Sequence, residues 1–472
     1  MDFTCIPGTT GKYITSAELV ISGNIASITE AKKRLTIVNL AAQKELAQLK
    51  KTVHRNVRHL YAMKKRHAEL LETVETKCFA EREDGSLSIP PGFWFLCESV
   101  AGHESTVQPV ALGGERYYQV EIVKEALKYK RSSIVAATGS GKSIIIRNLT
   151  LSLVKAGMRV VVVVPSIELL TQTFKTIKAG CDQFDIDCGM LGGGKKPKDG
   201  VTVLVTTAQS ALNYIDRFQA VICDEAHLVA AATYQDLAIA TINSMHFHSL
   251  TATIERPDGL TPLIHAWAGK VVYSYSYKQA VSDGFLAPVK YYQKEVKSNA
   301  QVRPNTHMTK EYIAVHSDPH FIGELATMVK SSLAKGRPTL VLFKASECCN
   351  KLAKALGVEA ASGEYRKPFY DFRDGKTELL IGNTALLGVG IDAPRISTII
   401  YVASGVSEIT FMQAVGRGTR IAAGKADCVV VDVVPNNRKF INMAGARMQI
   451  AKRAGFCLQS DKPKEAEQKS TE

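Results

Sequence analysis

Hydrophobic positions along this chain fall into three zones with different periods. In the first, to about residue 105, Leu46, Leu49, Val53, Val57, Leu60, Met63, His67, Leu71 and Val74 recur three or four residues apart. That spacing places them on one stripe of an amphipathic helix, continuous or broken into a hairpin. From about 106 to 285, short apolar runs alternate with helical patterns. Ser133–Ala136, Met158–Val164, Val201–Thr206, Ala220–Cys223 and Phe247–Leu250 read as strands. Several are almost wholly apolar, as strands covered on both faces of a parallel sheet should be. A second series follows at Thr339–Phe343, Glu378–Ile381, Thr398–Val402 and Cys428–Val431. Two successive strand–helix series predict two α/β lobes, over 106–285 and 286–455, with a hinge near Asp283–Pro288. A small α+β accessory domain is expected over 1–105, and a disordered tail over 456–472, where Lys, Glu and Ser dominate.

The length of 472 residues suits about three domains, and 46% hydrophobic with 22% charged residues is ordinary globular composition. The longest apolar runs, such as Val160–Pro165, are far short of a membrane span. No basic-then-apolar leader opens the sequence. The ten cysteines form no CxxC pair and no metal-ligand spacing, so reduced thiols are expected and a zinc or iron–sulfur site is not. A formal net charge of +14 points towards a polyanionic partner, although a solvated basic surface gives the same count. Between Lys32 and Arg66 there are eleven basic residues and one interior acid, Glu45. That run is either a solvated helix face or a DNA-backbone contact.

Candidate chemistry enters at Ala136-Ala137-Thr138-Gly139-Ser140-Gly141-Lys142-Ser143, which follows a strand and opens an apolar helix. Glycines let the backbone curl its N–H groups towards phosphate oxygens, and the helix N-terminus adds positive potential. Thr138, Gly139, Ser140 and Gly141 would form the cradle, Lys142 would reach the β and γ phosphates, and Ser143 would coordinate Mg²⁺. Ala136 stands where the strict pattern has glycine. The second half of the site is Ala220–Cys223, an apolar strand ending in Asp224-Glu225-Ala226-His227. An acid at the carboxyl end of such a strand sits where nucleotide-bound Mg²⁺ sits, so Asp224 is expected to hold the metal. Glu225 is expected to orient and deprotonate the attacking water. Two acids capping a helix are the bland alternative, which leaves the paired loop unexplained. Together the motifs point to nucleotide hydrolysis.

In this order the motifs resemble those of superfamily 2 helicases, from about residue 116 to 420. Arg116-Tyr117-Tyr118-Gln119 precedes Lys142 by 142 − 119 = 23 residues and is similar to the motif whose Gln reads adenine, which implies ATP. Val164–Gln172, with Pro165 and Ser166, resembles motif Ia. Val205–Ser210, with Thr206, Thr207 and Gln209, resembles a later DNA-contacting motif. Thr251-Ala252-Thr253 matches motif III, so Thr251, Thr253 and His227 are the implied coupling residues. Gly388–Pro394 resembles motif V, which implies nucleotide contacts from Gly390 and Asp392. Gln413–Arg420 resembles motif VI, which implies catalytic roles for Gln413, Arg417 and Arg420, the two arginines acting as fingers on the transferring phosphoryl group. Taken alone, two arginines a helical turn apart are more often surface residues. Thr384 joins the implied DNA contacts, as do Gly193 and Gly194 of the turn Leu191–Lys196, although a plain flexible hairpin fits that turn as well.

The resemblance implies two tandem RecA-like parallel-sheet lobes that bind ATP between them and grip DNA in alternation. Motif VI lacks the His-Arg opening of DEAD-box RNA helicases, motif III is Thr-Ala-Thr, and Pro165-Ser166 replaces Pro-Thr-Arg. The pattern is similar to RecG, XPB and above all the UvsW-type recombination helicases of tailed bacteriophages. Ser88–Phe93 adds to that likeness. A monomeric enzyme acting on forked or branched DNA is therefore expected, in the cytoplasm (a host's, for a phage protein). A double-strand translocase and an ATP-gated nucleic-acid switch are the alternatives.

Overall fold

The computed structural model describes residues 104–459 except 231–233, 235, 238–239, 242–243, 257, 304–305 and 386–392, together with residue 43 and seven short strands nearer the N-terminus. The helical stripe of 46–74 and the chain after 459 lie outside the described residues. So do Gly390 and Asp392. The seven short strands pair antiparallel: Leu19–Ile21 with Leu87–Ile89, Ala80–Glu81 with the same strand, Thr36–Val38 with Glu75–Lys77, and Asp2–Phe3 with Ile14–Thr15.

The chain divides into two compact units, 1–136 with 141–275, and 137–140 with 276–472. Along the first run α1 (Tyr117–Ala126), β1 (Arg131–Ala136), α2 (Lys142–Lys155), β2 (Val160–Val164), α3 (Ile167–Cys181), β3 (Cys188–Leu191), β4 (Val203–Thr207), β5 (Ala220–Cys223), β6 (His246–Thr251), α4 (Thr261–Ala268) and β7 (Val271–Tyr275). The seven strands are parallel throughout, in the order β3-β4-β2-β5-β6-β1-β7. Central β2 is five valines, all fully buried between β4 and β5. β-branched residues suit a strand packed on both faces, and no polar side chain could stand there unpaired. At the opposite end of the sheet from its carboxyl edge, buried Arg131 donates to the carbonyls of Trp267, Thr241 and Ser244.

The second unit contains β8 (Val289–Val296), α5 (Met308–His316), α6 (Pro319–Ala334), β9 (Thr339–Phe343), α7 (Ser346–Leu356), α8 (Lys367–Arg373), β10 (Leu379–Asn383), β11 (Thr398–Tyr401), α9 (Glu408–Gly418), β12 (Cys428–Pro435), α10 (Arg438–Ala454) and β13 (Cys457–Leu458). Its sheet is also parallel, in the order β10-β9-β11-β12-β8-β13. Because Phe456 is buried and Cys457–Leu458 pair with β8, the expected tail does not begin at 456. The Arg447–Asp432 ion pair is wholly buried here. Arg447 on α10 donates through Nε to both oxygens of Asp432 at 3.0 Å and through Nη1 to the Gly405 carbonyl at 2.9 Å. Tyr291 and Gln293 fill the remaining acceptor sites of Asp432, as a buried carboxylate requires. Both units thus have the RecA-like architecture of parallel sheet and covering helices. Among the described residues, no helix is long and apolar enough to cross a membrane.

Candidate functional site

The first sheet gathers its chemistry at the carboxyl ends of its strands, where open α/β sheets bind ligands. β6 lies between β1 and β5. The loop after β1, the acids after β5 and Thr251 at the end of β6 therefore share one edge.

After β1, residues 137–141 curl into α2 with Gly139 at φ 87° and Gly141 at φ 84°. Side chains rarely tolerate such angles. At Gly141 space also forbids one, because a Cβ would stand 2.5 Å from Gln119 Nε2. The helix opens on Lys142 and Ser143, both half-buried, and its first N–H groups have no helical acceptor. Lys142 Nζ donates to the Ala136 carbonyl at 3.4 Å, folded over the loop. Thr138 and Ser140 complete that loop, Thr138 half-buried and Ser140 buried.

Asp224 follows β5 and is 8% exposed. Burial, with the neighbouring Glu225 charge adding to it, pushes its carboxyl up to about 7, while Lys142 and the Glu225 N–H pull the other way. That N–H donates to Asp224 Oδ1 at 3.0 Å. Glu225 itself takes φ 55°, a left-handed angle that costs a non-glycine residue about 1 kcal/mol. The surrounding structure therefore holds the Glu225 backbone out of the extended strand conformation. An ionised Asp224 is opposed by burial and by a like charge, so a cation beside it is what the site's electrostatics favour. Ser143 offers the hydroxyl oxygen for the same ion.

His227 is buried, and burial lowers its pKa against the raising effect of Glu225. Its Nδ1 lies 3.2 Å from Thr251 Oγ1 and 3.4 Å from Glu225 Oε2. Thr251 Oγ1 in turn donates to the Thr253 carbonyl at 2.7 Å. A polar chain thus runs from the acid pair to the end of β6. Arg256, which the sequence reading missed, donates to the His227 carbonyl and pairs with Asp258 at 2.5 Å.

Gln119 sits near the start of α1, nearly buried, and its Oε1 accepts from the Arg116 N–H at 3.0 Å. The segment leading to it hangs on Glu115, also missed by the sequence reading. Glu115 Oε1 accepts from Leu112 N–H at 2.9 Å, Arg147 Nη2 at 2.5 Å and Asn148 Nδ2 at 3.1 Å. Burial would raise this carboxyl, but those hydrogen bonds and the Arg147 charge outweigh it and hold the pKa below the usual value. Arg147 and Asn148 lie on α2, so the helix that begins at Lys142 also fixes the Gln119 segment. Glu115→Ala is expected to weaken ATP binding about three- to tenfold, the equivalent of losing one ordinary net hydrogen bond. Titration with a fluorescent ATP analogue checks this; unchanged affinity would mean the segment is held without Glu115.

The candidate DNA contacts of this unit also follow carboxyl ends of strands. Pro165 and Ser166 come after β2, and Ser166 Oγ caps α3 by accepting from Leu169 N–H at 3.3 Å. Gly193 and Gly194, at φ 58° and 80°, form an exposed turn after β3 beside exposed Lys195 and Lys196. Thr207 is half-buried and Gln209 exposed, whereas the Thr206 side chain is buried in the sheet, which leaves it no surface to offer a phosphate. In the second unit Thr384 follows β10, its N–H bonded to the Phe343 carbonyl at 2.8 Å. Gln413 and Arg417 lie on α9, with Arg420 just beyond, all three half-buried.

Comparison with known proteins agrees with this arrangement. Residues 113–256 match the family model described as type III restriction enzyme, res subunit. The DNA 3'-5' translocase XPB2 of Sulfurisphaera tokodaii is 35% identical over 169 residues, covering 35% of this chain and 36% of its own. An inferred helicase, number 22, of Sulfolobus islandicus filamentous virus is 22% identical over 374 residues, covering 71% of this chain and 66% of its own. The chain thus spans from about a third to two thirds of the length of these relatives. Among solved structures, a fragment assigned as the HsdR subunit of a type I restriction enzyme from Vibrio vulnificus superposes with TM-score 0.58. It is 20% identical and covers 75% of this chain and 69% of its own.

Proposed function

From its standing as a homologue of superfamily 2 helicases, we propose that this chain is an ATP-driven DNA helicase acting on branched DNA, in fork regression and Holliday-junction branch migration. The observation that carries the reading is the carboxyl edge of the first sheet. Lys142 acts electrostatically on a buried Asp224 whose carboxyl lies near 7, beside a strained Glu225. A buried, cation-seeking carboxylate next to a phosphate-type loop suits metal-nucleotide binding and little else.

In the mechanism this implies, the residue 137–141 loop and Lys142 hold the β and γ phosphates and Gln119 selects adenine. Ser143 and Asp224 would hold Mg²⁺, which supplies charge neutralisation at the phosphates. Glu225 accepts a proton from water as its oxygen attacks the γ phosphorus and the bond to the β–γ bridging oxygen breaks. Arg417 and Arg420 are assigned to the developing charge by their motif. Loss of the γ phosphate is transmitted through the Glu225–His227–Thr251 chain. Pro165, Ser166, Gly193, Gly194, Thr207, Gln209 and Thr384 hold the DNA backbone, contacts that position without reading sequence. The relative named a helicase supports strand separation, and the relative named a translocase favours a second reading, travel along duplex DNA without opening it.

Unwinding of four-way junctions, fork mimics and linear partial duplexes, with and without ATP, separates the two. Preferential opening of junctions and forks is the expected result. Robust DNA-stimulated ATP turnover with no strand separation on any of the three would select the translocase.

A further inference from the structure

We propose that Lys425, which belongs to none of the sequence motifs, is a positioning residue that sets the arginines of the α9 segment by clamping its end to the carbonyl of Pro394. Its ammonium has three N–H groups and three carbonyl acceptors: Pro394 at 2.9 Å, Gly418 at 2.6 Å and Arg420 at 2.7 Å. No other common side chain offers three diverging donors from one atom. The proposal rests on the catalytic reading of Arg417 and Arg420.

The geometry around the clamp explains why it has work to do. The last carbonyls of a helix lack helical partners. Around the end of α9 four carbonyls are taken by separate donors. The Gly416 carbonyl accepts from Thr419 Oγ1 at 3.0 Å, that of Thr419 from Ala287 N–H at 2.6 Å, and those of Gly418 and Arg420 from Lys425. Gly418 lets this end press on the sheet, since a Cβ there would stand 2.3 Å from Cys428 Sγ and 2.9 Å from Ile399 Cδ1. Lys425 is presented by a turn, Ala422 to Lys425, closed by its own N–H to the Ala422 carbonyl at 3.1 Å, with Gly424 at φ 73°. Burial pushes its ammonium down to about 8, Arg337 and Arg420 adding to the effect against Cys428 and Asp427. The three carbonyls offset that penalty. One clamped carbonyl belongs to Arg420 itself, and another lies one residue after Arg417. A shift of the clamp therefore moves the backbone that carries both guanidinium groups.

The test is DNA-stimulated ATP turnover of the full chain carrying Lys425→Met, Lys425→Gln, Arg417→Ala, or Lys425→Met with Arg417→Ala. Misplacing a catalytic group by about 1 Å costs up to about 10²-fold, so kcat of either Lys425 variant is expected to fall ten- to a hundredfold, with KM for ATP within a few-fold of wild type. Because the clamp acts through the arginines, of which only Arg420 remains in the double variant, the loss there is expected to be smaller than the product of the two single losses. Wild-type turnover in a folded Lys425→Met protein overturns the proposal, as do losses that multiply in the double variant. Lys425→Gln, one atom shorter than lysine but still ending in a donor, carries the test if the methionine variant does not fold. Failure of the underlying reading looks different: Arg417→Ala then turns over ATP like the wild type, and the proposal falls with it.

Discussion

Replacing Lys142 by alanine is expected to lower DNA-stimulated ATP turnover on the order of 10³-fold or more, while DNA affinity stays within a few-fold of wild type. Removing one preorganised group from a charge-stabilising site typically costs about 10²–10³ in rate. Here the loss is compounded, because Lys142 also opposes the upward push on the Asp224 carboxyl. Without that cation Asp224 is harder to ionise, and the metal site weakens together with the phosphate site. The candidate DNA contacts lie on other loops, after β2, β3 and β4, so the variant is expected to bind DNA and stall. Turnover of radiolabelled ATP and DNA binding by fluorescence anisotropy measure the two properties separately. Normal hydrolysis in Lys142→Ala would remove the phosphate-site assignment altogether.

The reason this site can be argued at all is that its residues are contiguous in short stretches whose backbone demands are strict. Gly139 and Gly141 occupy angles that suit glycine, and Asp224-Glu225 falls at the end of a strand whose four residues are all buried. Central strands were legible for a related reason: burial on both faces leaves no room for polar alternation. Ala220–Cys223 and Thr339–Phe343 match their expected bounds residue for residue. The strands that escaped the sequence reading are those with an open side. Cys188–Leu191 and Val271–Tyr275 form the two edges of the first sheet, and β8 is flanked on one side only by the two residues of β13. Val271–Tyr275 and β8 mix exposed and buried positions, and β8 carries Lys290, Gln293, Lys294 and Glu295 within eight residues.

Supporting residues escaped for a different reason. Glu115 reaches Arg147 across 32 residues of sequence, and Lys425 reaches Pro394 across 31. A side chain that acts by holding another segment has no local pattern, because its partners are backbone carbonyls or ordinary charges that any surface supplies. Arg256 is of the same kind: it reads as one more loop arginine until the fold brings it to the His227 carbonyl. Thr206 shows the converse. A motif resemblance includes residues that complete a strand as well as those that face a ligand, and only burial distinguishes them.

Glu225→Gln separates chemistry from binding where Lys142→Ala cannot. Glutamine keeps the length of the side chain and its capacity to hydrogen-bond His227, and it faces the same backbone strain at φ 55°. What it loses is the base and the negative charge. Loss of a positioned general base costs about 10²–10⁴-fold, so hydrolysis is expected to fall by that factor. Binding is expected to move the other way. The Glu225 charge helps push the Asp224 carboxyl up to about 7; removing it lets Asp224 ionise at lower pH. Because the metal-nucleotide complex needs the ionised form, affinity in the wild type weakens as pH falls through about 7, and in Glu225→Gln that weakening is expected at a lower pH. Equilibrium titration of an ATP analogue with Mg²⁺ between pH 5.5 and 8, on an order-of-magnitude buffer series spanning both states, reads the shift directly. An acid limb at the same pH in both proteins would mean that the two carboxylates are not electrostatically coupled. Turnover unchanged in the variant would place the base elsewhere. The expected pair of results, slow hydrolysis with retained binding, also yields the ATP-loaded protein in which junction binding can be measured without strand separation.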